Sequence, residues 1–232
     1  MFVTPETIIP DTLWREVVGE DSETTTQQRA AATRVESGSF AEGTLRLQIQ
    51  PMRVDWFYEP PPATTAAMPA FGRFPAAARP FLEFVRRWAT TGSFPTSTRI
   101  ALGFTLIAAT EGRATGYREL SEFIDGVPTP DATDFQYQVN RPRASRAGIE
   151  GLNINRLSRW SVGALGTVAL LVGAGAPHPI IGPLQHHLRL EVDVNTAADF
   201  QGVIPHDMIP ALLDDLFAGV TEVCEQGAHT PT

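Results

Sequence analysis

The sequence predicts an α+β fold: one domain with a mixed, mainly antiparallel sheet and about three helices packed on one of its faces. Three observations carry that expectation. "HHLRLEVDVNT" alternates without a break, with Leu188, Leu190, Val192 and Val194 on one side and His187, Arg189, Glu191, Asp193 and Asn195 on the other. Three stretches show helical spacing instead, among them Leu212, Leu213, Leu216, Phe217, Val220, Val223 and Cys224. Short turn-rich breaks separate neighbouring strands, as hairpins require, and no long βαβ repeat is visible.

Taken in chain order, residues 19–43 are polar and lack a sustained period, so residues 1–43 read as an arm or long loop, with a short strand fitting near 33–39. Leu45, Leu47 and Ile49 then alternate, and after Pro51 the apolar set moves to Met52, Val54 and Trp56. A slip of one residue reverses the faces of a strand, so Pro51 marks a hairpin turn or a bulge. Residues 59–75 contain five prolines and form an irregular connection. Phe81, Phe84, Val85 and Trp88 define one helix face behind Pro80, with Gly92 available to end the helix. "TRIALGFTLIAAT" is apolar on both parities, which predicts a central strand covered on both faces. Tyr117, Leu120, Phe123 and Ile124 make a second short helix closed by Gly126. Phe135, Tyr137 and Val139 form a strand with one polar face, and a long apolar strand is expected over 160–172. The last helix begins at Pro210 and ends at Gly227, leaving 44–227 as the domain and 228–232 as a tail.

Composition excludes several kinds of chemistry. The chain has 232 residues, 43% hydrophobic and 19% charged, and a net charge of −8. That acidity disfavours nucleic acid as a partner, because a duplex binder neutralises phosphates with net positive surface. All 18 basic residues are arginine, which removes lysine Schiff-base, general-base and phosphate-loop chemistry. Cys224 is the sole cysteine and falls on the apolar stripe of the last helix, so a packed thiol is expected and an intrachain disulfide is excluded. The opening residues show no basic segment leading into an apolar run, so no signal peptide is expected. The most apolar stretch, 162–176, has 15 residues where a membrane helix needs about 20, so no membrane partner is expected.

"VGAGAPHP" begins like a dinucleotide loop, but Ala176, Pro177, His178 and Pro179 stand where the third glycine and a helix start belong. His187, Glu191 and Asp193 share a strand face and are chemically fit metal ligands, yet Arg189 between them opposes a cation. A solvated face with cross-strand ion pairs explains the same alternation, and neither a metal nor a cofactor is expected. The strongest candidate is the stretch 138–160, where Arg141, Arg143, Arg146, Arg156 and Arg159 face only Glu150, a local charge of +4. Asn140 and Asn155 precede two of these arginines at expected strand ends. Read as a loop between strands, the arginines either pair with carboxylates such as Asp134, Glu191 or Asp193, or recognise phosphate or carboxylate bidentately.

Six stretches, "LRLQIQPMRVDWFY", "FPAAARPFLEFVRRW", "RIALGFTLI", "DFQYQVNRPR", "NINRLSRWS" and "LRLEVDVNT", together resemble a sporadically distributed, uncharacterised family of bacterial proteins of similar length. The resemblance covers about residues 43–227 and implies a single α+β domain in a bacterial cytoplasmic protein. It supplies no catalytic residues. The expected function is a non-enzymatic interaction module that binds a protein partner through Asn140, Arg141, Arg143, Asn155, Arg156 and Arg159 and through the polar face of His187, Arg189, Glu191 and Asp193. One alternative is a hydrolase or nuclease acting on a phosphate-containing substrate, with Glu191 or Asp193 as base or ligand, which requires these carboxylates to converge on the arginines. A second alternative is nucleic-acid binding.

Overall fold

Alternation at period two demands strands whose apolar side meets a second layer, and four amphipathic helices supply that layer. The structure is a computed structural model that describes residues 1–3, 9–61, 68–124, 132–166, 168–171, 178–182 and 184–229. In chain order the elements are β1 (Phe2–Val3), α1 (Leu13–Val18), β2 (Thr24–Gln28), β3 (Thr33–Phe40), β4 (Gly43–Gln50), β5 (Arg53–Glu59), α2 (Arg79–Ala89), β6 (Arg99–Thr110), α3 (Arg113–Ser121), β7 (Gln136–Asn140), β8 (Arg143–Ala144), β9 (Asn153–Leu165), β10 (Val168–Leu171), β11 (His178–Ile181), β12 (Gln185–Thr196) and α4 (Ile209–Gln226). The large sheet has the order β2-β3-β4-β5-β1-β6-β12-β9-β7, with β8 also on β9, while β10 and β11 pair with each other. Every strand pairing among the described residues is antiparallel. No described helix is long and apolar enough to cross a membrane.

One parity is buried across the sheet from β3 to β9. Leu45, Leu47, Val54, Trp56, Phe2, Ile100, Leu102, Val192, Val194 and Ile154 form a continuous floor, and the helices lie on it. Trp88 of α2 is fully buried and meets Phe2 edge-on at 5.0 Å and Trp56 at 5.8 Å. Trp14 of α1 reaches Trp56 at 5.7 Å and crosses β3 at Gly38, where a Cβ would sit 3.1 Å from the indole. Gly116 of α3 allows a similarly close approach to Val162 and Thr110. At the end of α4, Gly227 has φ 62° and lies against the carbonyl of Phe123, 2.9 Å from where a Cβ would stand.

Several expectations are corrected here. Residues 19–43 contain β2 and β3, a hairpin on the sheet edge, and the strand expected near 33–39 spans Thr33–Phe40. The five residues of β2 are all exposed, so its place is set by backbone pairing and leaves no apolar period to read. A fourth helix, α1, precedes them, held by Leu13, Trp14 and Val17. Pro51 and Met52 form a two-residue hairpin turn between the paired residues Gln50 and Arg53. The strand expected over 160–172 is two strands, β9 and β10, and β9 begins seven residues earlier than expected, at Asn153. β6 is central in order but is covered on both faces only over Ile100–Leu102; Gly103, Thr105, Ala108 and Ala109 are exposed. His178 opens β11, where a loop was expected. Ala228, expected in a tail, is 4% exposed. Gly126, Gly173 and Gly175 lie outside the described residues.

Met52 holds a left-handed φ of 61° with an exposed side chain. That conformation costs an L-residue about 1 kcal/mol and costs glycine almost nothing. Met52→Gly should therefore raise stability by about 0.5–1 kcal/mol in urea denaturation, and a loss of stability would contradict this turn geometry.

Candidate functional site

The arginine stretch is a β-hairpin. Asn140 opposes Leu157 and Arg143 opposes Ile154, the same register carried through Arg141 and Pro142, so 136–144 behaves as one edge strand interrupted where proline cannot donate. Arg141 N–H donates to the Arg156 carbonyl at 3.1 Å within that register. Strand parity then divides the arginines. Tyr137, Val139, Arg141 and Arg143 turn toward the helices with Ile154, Arg156, Ser158 and Trp160, whereas Arg159 turns to the open face.

On the helix side the arginines meet carboxylates that sequence reasoning missed. Asp215 and Glu222 stand two turns apart on one face of α4. Arg143 Nη2 donates to Asp215 Oδ1 at 2.7 Å, and the side chains are 9% and 5% exposed. Ser145 Oγ at 2.9 Å and the Arg146 backbone N–H at 2.8 Å donate to Asp215 Oδ2. Glu222 receives Arg146 Nη1 at 2.7 Å and Arg156 Nη1 at 2.9 Å. The Arg156 side chain, 1% exposed, runs past Gly219, where a Cβ would lie 3.6 Å from its Cγ and Cδ, and its Nε donates to the Arg141 carbonyl at 2.9 Å. Arg141 in turn donates Nε and Nη2 to the Ala228 carbonyl at 2.9 and 2.5 Å.

Burial pushes the Asp215 carboxyl up, but the hydrogen bonds from Arg143, Arg146 and Ser145 outweigh it and hold the pKa below the ordinary value. Glu222 behaves alike: burial opposes, and Arg146, Arg143 and Arg156 prevail. Burial draws Arg156 down from the usual guanidinium value, with Glu222 pulling the other way. The network clamps the end of the chain onto the sheet. Its sequence signal was the parity of Arg141 and Arg143, which continue the inward set of Tyr137 and Val139, together with two acidic residues on the inner stripe of α4.

The open face carries a different arrangement. Arg159 and Arg189, each with a side chain 46% exposed, flank Glu191 at 3.0 and 2.6 Å, and Arg159 Nε donates to Gln138 at 3.2 Å. A row of amides runs beside them: Asn140 donates to Asn155 at 2.9 Å, Asn155 to Asn195 at 3.1 Å, and Asn195 to Asp193 at 3.0 Å, while Arg99 also donates to Asn195 at 3.1 Å. His187 lies over Gly163, whose Cβ would stand 2.7 Å from its Nε2. Both oxygens of Glu191 are engaged by guanidinium groups, so His187, Glu191 and Asp193 share the face without converging. Val194 opposes Arg156 and Asp193 opposes Leu157, which puts Asp193 and Arg156 on opposite sides of the sheet, whereas Glu191 meets Arg159 on the open face.

Two outcomes follow from the buried network. A carboxylate whose folded pKa is depressed adds stability that is complete above its unfolded pKa and is lost as the pH falls through the folded value. Asp215→Asn should cost about 1–3 kcal/mol at pH 7 by removing the nearer of the two carboxylates that face the buried Arg143, with Glu222 remaining at 3.7 Å. The gap between wild type and variant should narrow as the pH drops below the ordinary carboxylate values of 3.8 and 4.5, as followed by urea denaturation. Burial also pushes the Cys224 thiol up to about 12, so it should resist alkylation in the native protein at pH 8 and react on unfolding; rapid native labelling would contradict its packing.

No protein-family model, curated protein or solved structure matches the chain, so the functional reading rests on the geometry above.

Proposed function

We propose that this chain is a non-enzymatic binding module of the bacterial cytoplasm that presents the open face of its sheet to a protein partner. One observation supports this above others. The four helices among the described residues pack on one side, and the opposite side keeps Arg159, Arg189 and Glu191 in an ion-paired row beside the row of Asn140, Asn155 and Asn195. Pre-ordered side chains lose little conformational entropy on binding, and charged groups at such a face set orientation and on-rate. The single thiol of Cys224, packed and unreactive, fits a reducing compartment.

The roles of the candidate residues divide accordingly. Arg141, Arg143 and Arg156 belong to the scaffold, because their guanidinium groups are spent on Ala228, Asp215 and Glu222. Arg159 and Arg189 are the cations the partner would meet, and Asn140, Asn155, Asp193 and His187 complete the face.

Charge reversal separates these roles. The double variant Arg159→Glu, Arg189→Glu should lower capture of the native partner from host extract, read by mass spectrometry after nuclease treatment, at least tenfold while shifting folding stability by no more than about 1 kcal/mol. Unchanged capture by this folded variant would remove the open face from the function. Capture that disappears with nuclease in the wild type would assign the face to nucleic acid.

A further inference from the structure

The large sheet is two four-stranded halves, β2-β3-β4-β5 and β6-β12-β9-β7, joined by a strand of only two residues. Phe2 pairs with Val54 and Ile100, and Val3 with Arg53 and Arg99. Met1 extends this register, its ammonium donating to the Ala101 carbonyl at 3.0 Å and its place falling opposite Asp55; beyond it, among the described residues, β5 has no neighbour on its β1 side over Trp56–Glu59, and β6 has none over Leu102–Thr110. At its closed end the slot between the halves is one strand wide, because β1 fills it there.

The backbone direction at both edges is fixed. Ala101 N–H donates to the Met1 carbonyl at 2.9 Å, so the peptide groups of Ala101 point away from β12. Backbone groups alternate sides along a strand and the β6–β12 register is unbroken, so Gly103, Thr105 and Ile107 direct their N–H and C=O groups into the slot as well. On the other edge, Arg53 closes the hairpin with Gln50 and therefore faces β4. Val54, Trp56 and Tyr58 then face the slot.

The slot opens into a cavity of about 840 Å³ whose walls include Trp56, Tyr58, Phe74, Phe104 and Leu106. Trp56 is 6% exposed and its indole N–H has no hydrogen-bond partner. On the β6 side, Gly103 and Thr105 are exposed although the strand lies in the middle of the sheet, and a Cβ at Gly103 would meet nothing nearer than 3.8 Å. Natural sheets cover, shorten or charge an exposed apolar edge, because it is a template for another chain. Here two such edges face each other across an aromatic cavity.

We propose that this slot binds an extended segment of a partner polypeptide, which enters in line with β1 and pairs with β5 on one side and β6 on the other. A segment of about five residues would satisfy the peptide groups of Trp56, Tyr58, Gly103, Thr105 and Ile107. Its alternate side chains would enter the cavity against Trp56, Phe74 and Phe104, which selects apolar residues there and tolerates polar ones between. The main-chain pairing supplies affinity and the cavity supplies sequence preference. The slot borders the ion-paired row of the open face, because Thr105 and Ile107 oppose Glu191 and Arg189 in the β6–β12 ladder, but its peptide groups are on the β1 side of β6 and the row is on β12 and β9.

The test is selection of a displayed library of random seven-residue peptides on the intact protein, followed by synthesis of the winners with acetylated and amidated ends. The expected peptides alternate apolar and polar residues and bind with a Kd of about 10–100 μM. Hydrogen exchange should then show new protection at Trp56, Tyr58, Gly103, Thr105 and Ile107. N-methylation of alternate peptide amides should weaken binding at least tenfold, and Thr105→Pro, which deletes a slot-facing N–H without touching the β12 ladder, should do the same. If that variant fails to fold, the N-methylated peptides carry the test on the wild-type protein. Absence of any peptide binding tighter than about 1 mM, protection elsewhere on the protein, or indifference to N-methylation would each overturn the proposal. Loss of partner capture on charge reversal of the open face, with peptide binding intact, would show that the two sites act separately.

Discussion

The contact on which the rest of the structure depends is the buried ion pairing between the β7–β9 hairpin and α4. The buried guanidinium groups of Arg143 and Arg156 meet the carboxylates of Asp215 and Glu222, and the exposed Arg146 adds a third contact at Glu222. Burying ion pairs brings little net stability over apolar packing, because desolvation offsets most of the Coulombic gain. What it enforces is register. Asp215 and Glu222 are two turns apart and Gly219 lies between them under the Arg156 stem, so a slide of α4 by one turn would leave buried charges on both sides. Guanidinium groups suit this better than ammonium groups because their fork engages several acceptors at once, as Arg156 does with Glu222 and the Arg141 carbonyl.

Fixing α4 has consequences on both sides of the sheet. With α4 in place, Ala228 receives Arg141 and Gly227 seats against Phe123, so the segment just after α4 closes over the hairpin. The four helices among the described residues then occupy one face, and the other is left to Arg159, Arg189, Glu191 and the asparagine row. The aromatic floor under α2 does the corresponding work for the other half of the sheet, where Trp88 bridges Phe2 and Trp56. Because among the described residues only β1 joins the two halves by backbone pairing, these side-chain contacts carry much of the continuity between them.

Where burial and local period agree, the sequence was readable. β12 alternates in burial as its residues alternate in polarity over Arg189–Val194, and α2 and α4 bury the stripes their spacing marks. Three features escaped for physical reasons. α1 spans six residues, too few for a period to emerge. β2 buries nothing, so its pairing leaves no trace in side-chain chemistry. The arginines read as a loop between strands because their charge outweighs their parity, although Arg141 and Arg143 continue the inward positions of Tyr137 and Val139. The acidic partners could have been sought on the inner stripe of α4, where a carboxylate requires a counter-charge. The slot between β5 and β6 depends on long-range pairing of a two-residue strand, and no local pattern reports it.

The central claim is that the buried arginines serve the scaffold by coupling the hairpin to α4. A double-mutant cycle between Arg143 and Asp215, each replaced by alanine singly and together and measured by urea denaturation, tests it most directly. The expected coupling energy is about 1.5–3 kcal/mol, with the double variant less destabilised than the sum of the singles. Coupling below about 0.5 kcal/mol, with both singles near wild-type stability, would contradict it and return the arginine cluster to the list of surfaces available for a ligand.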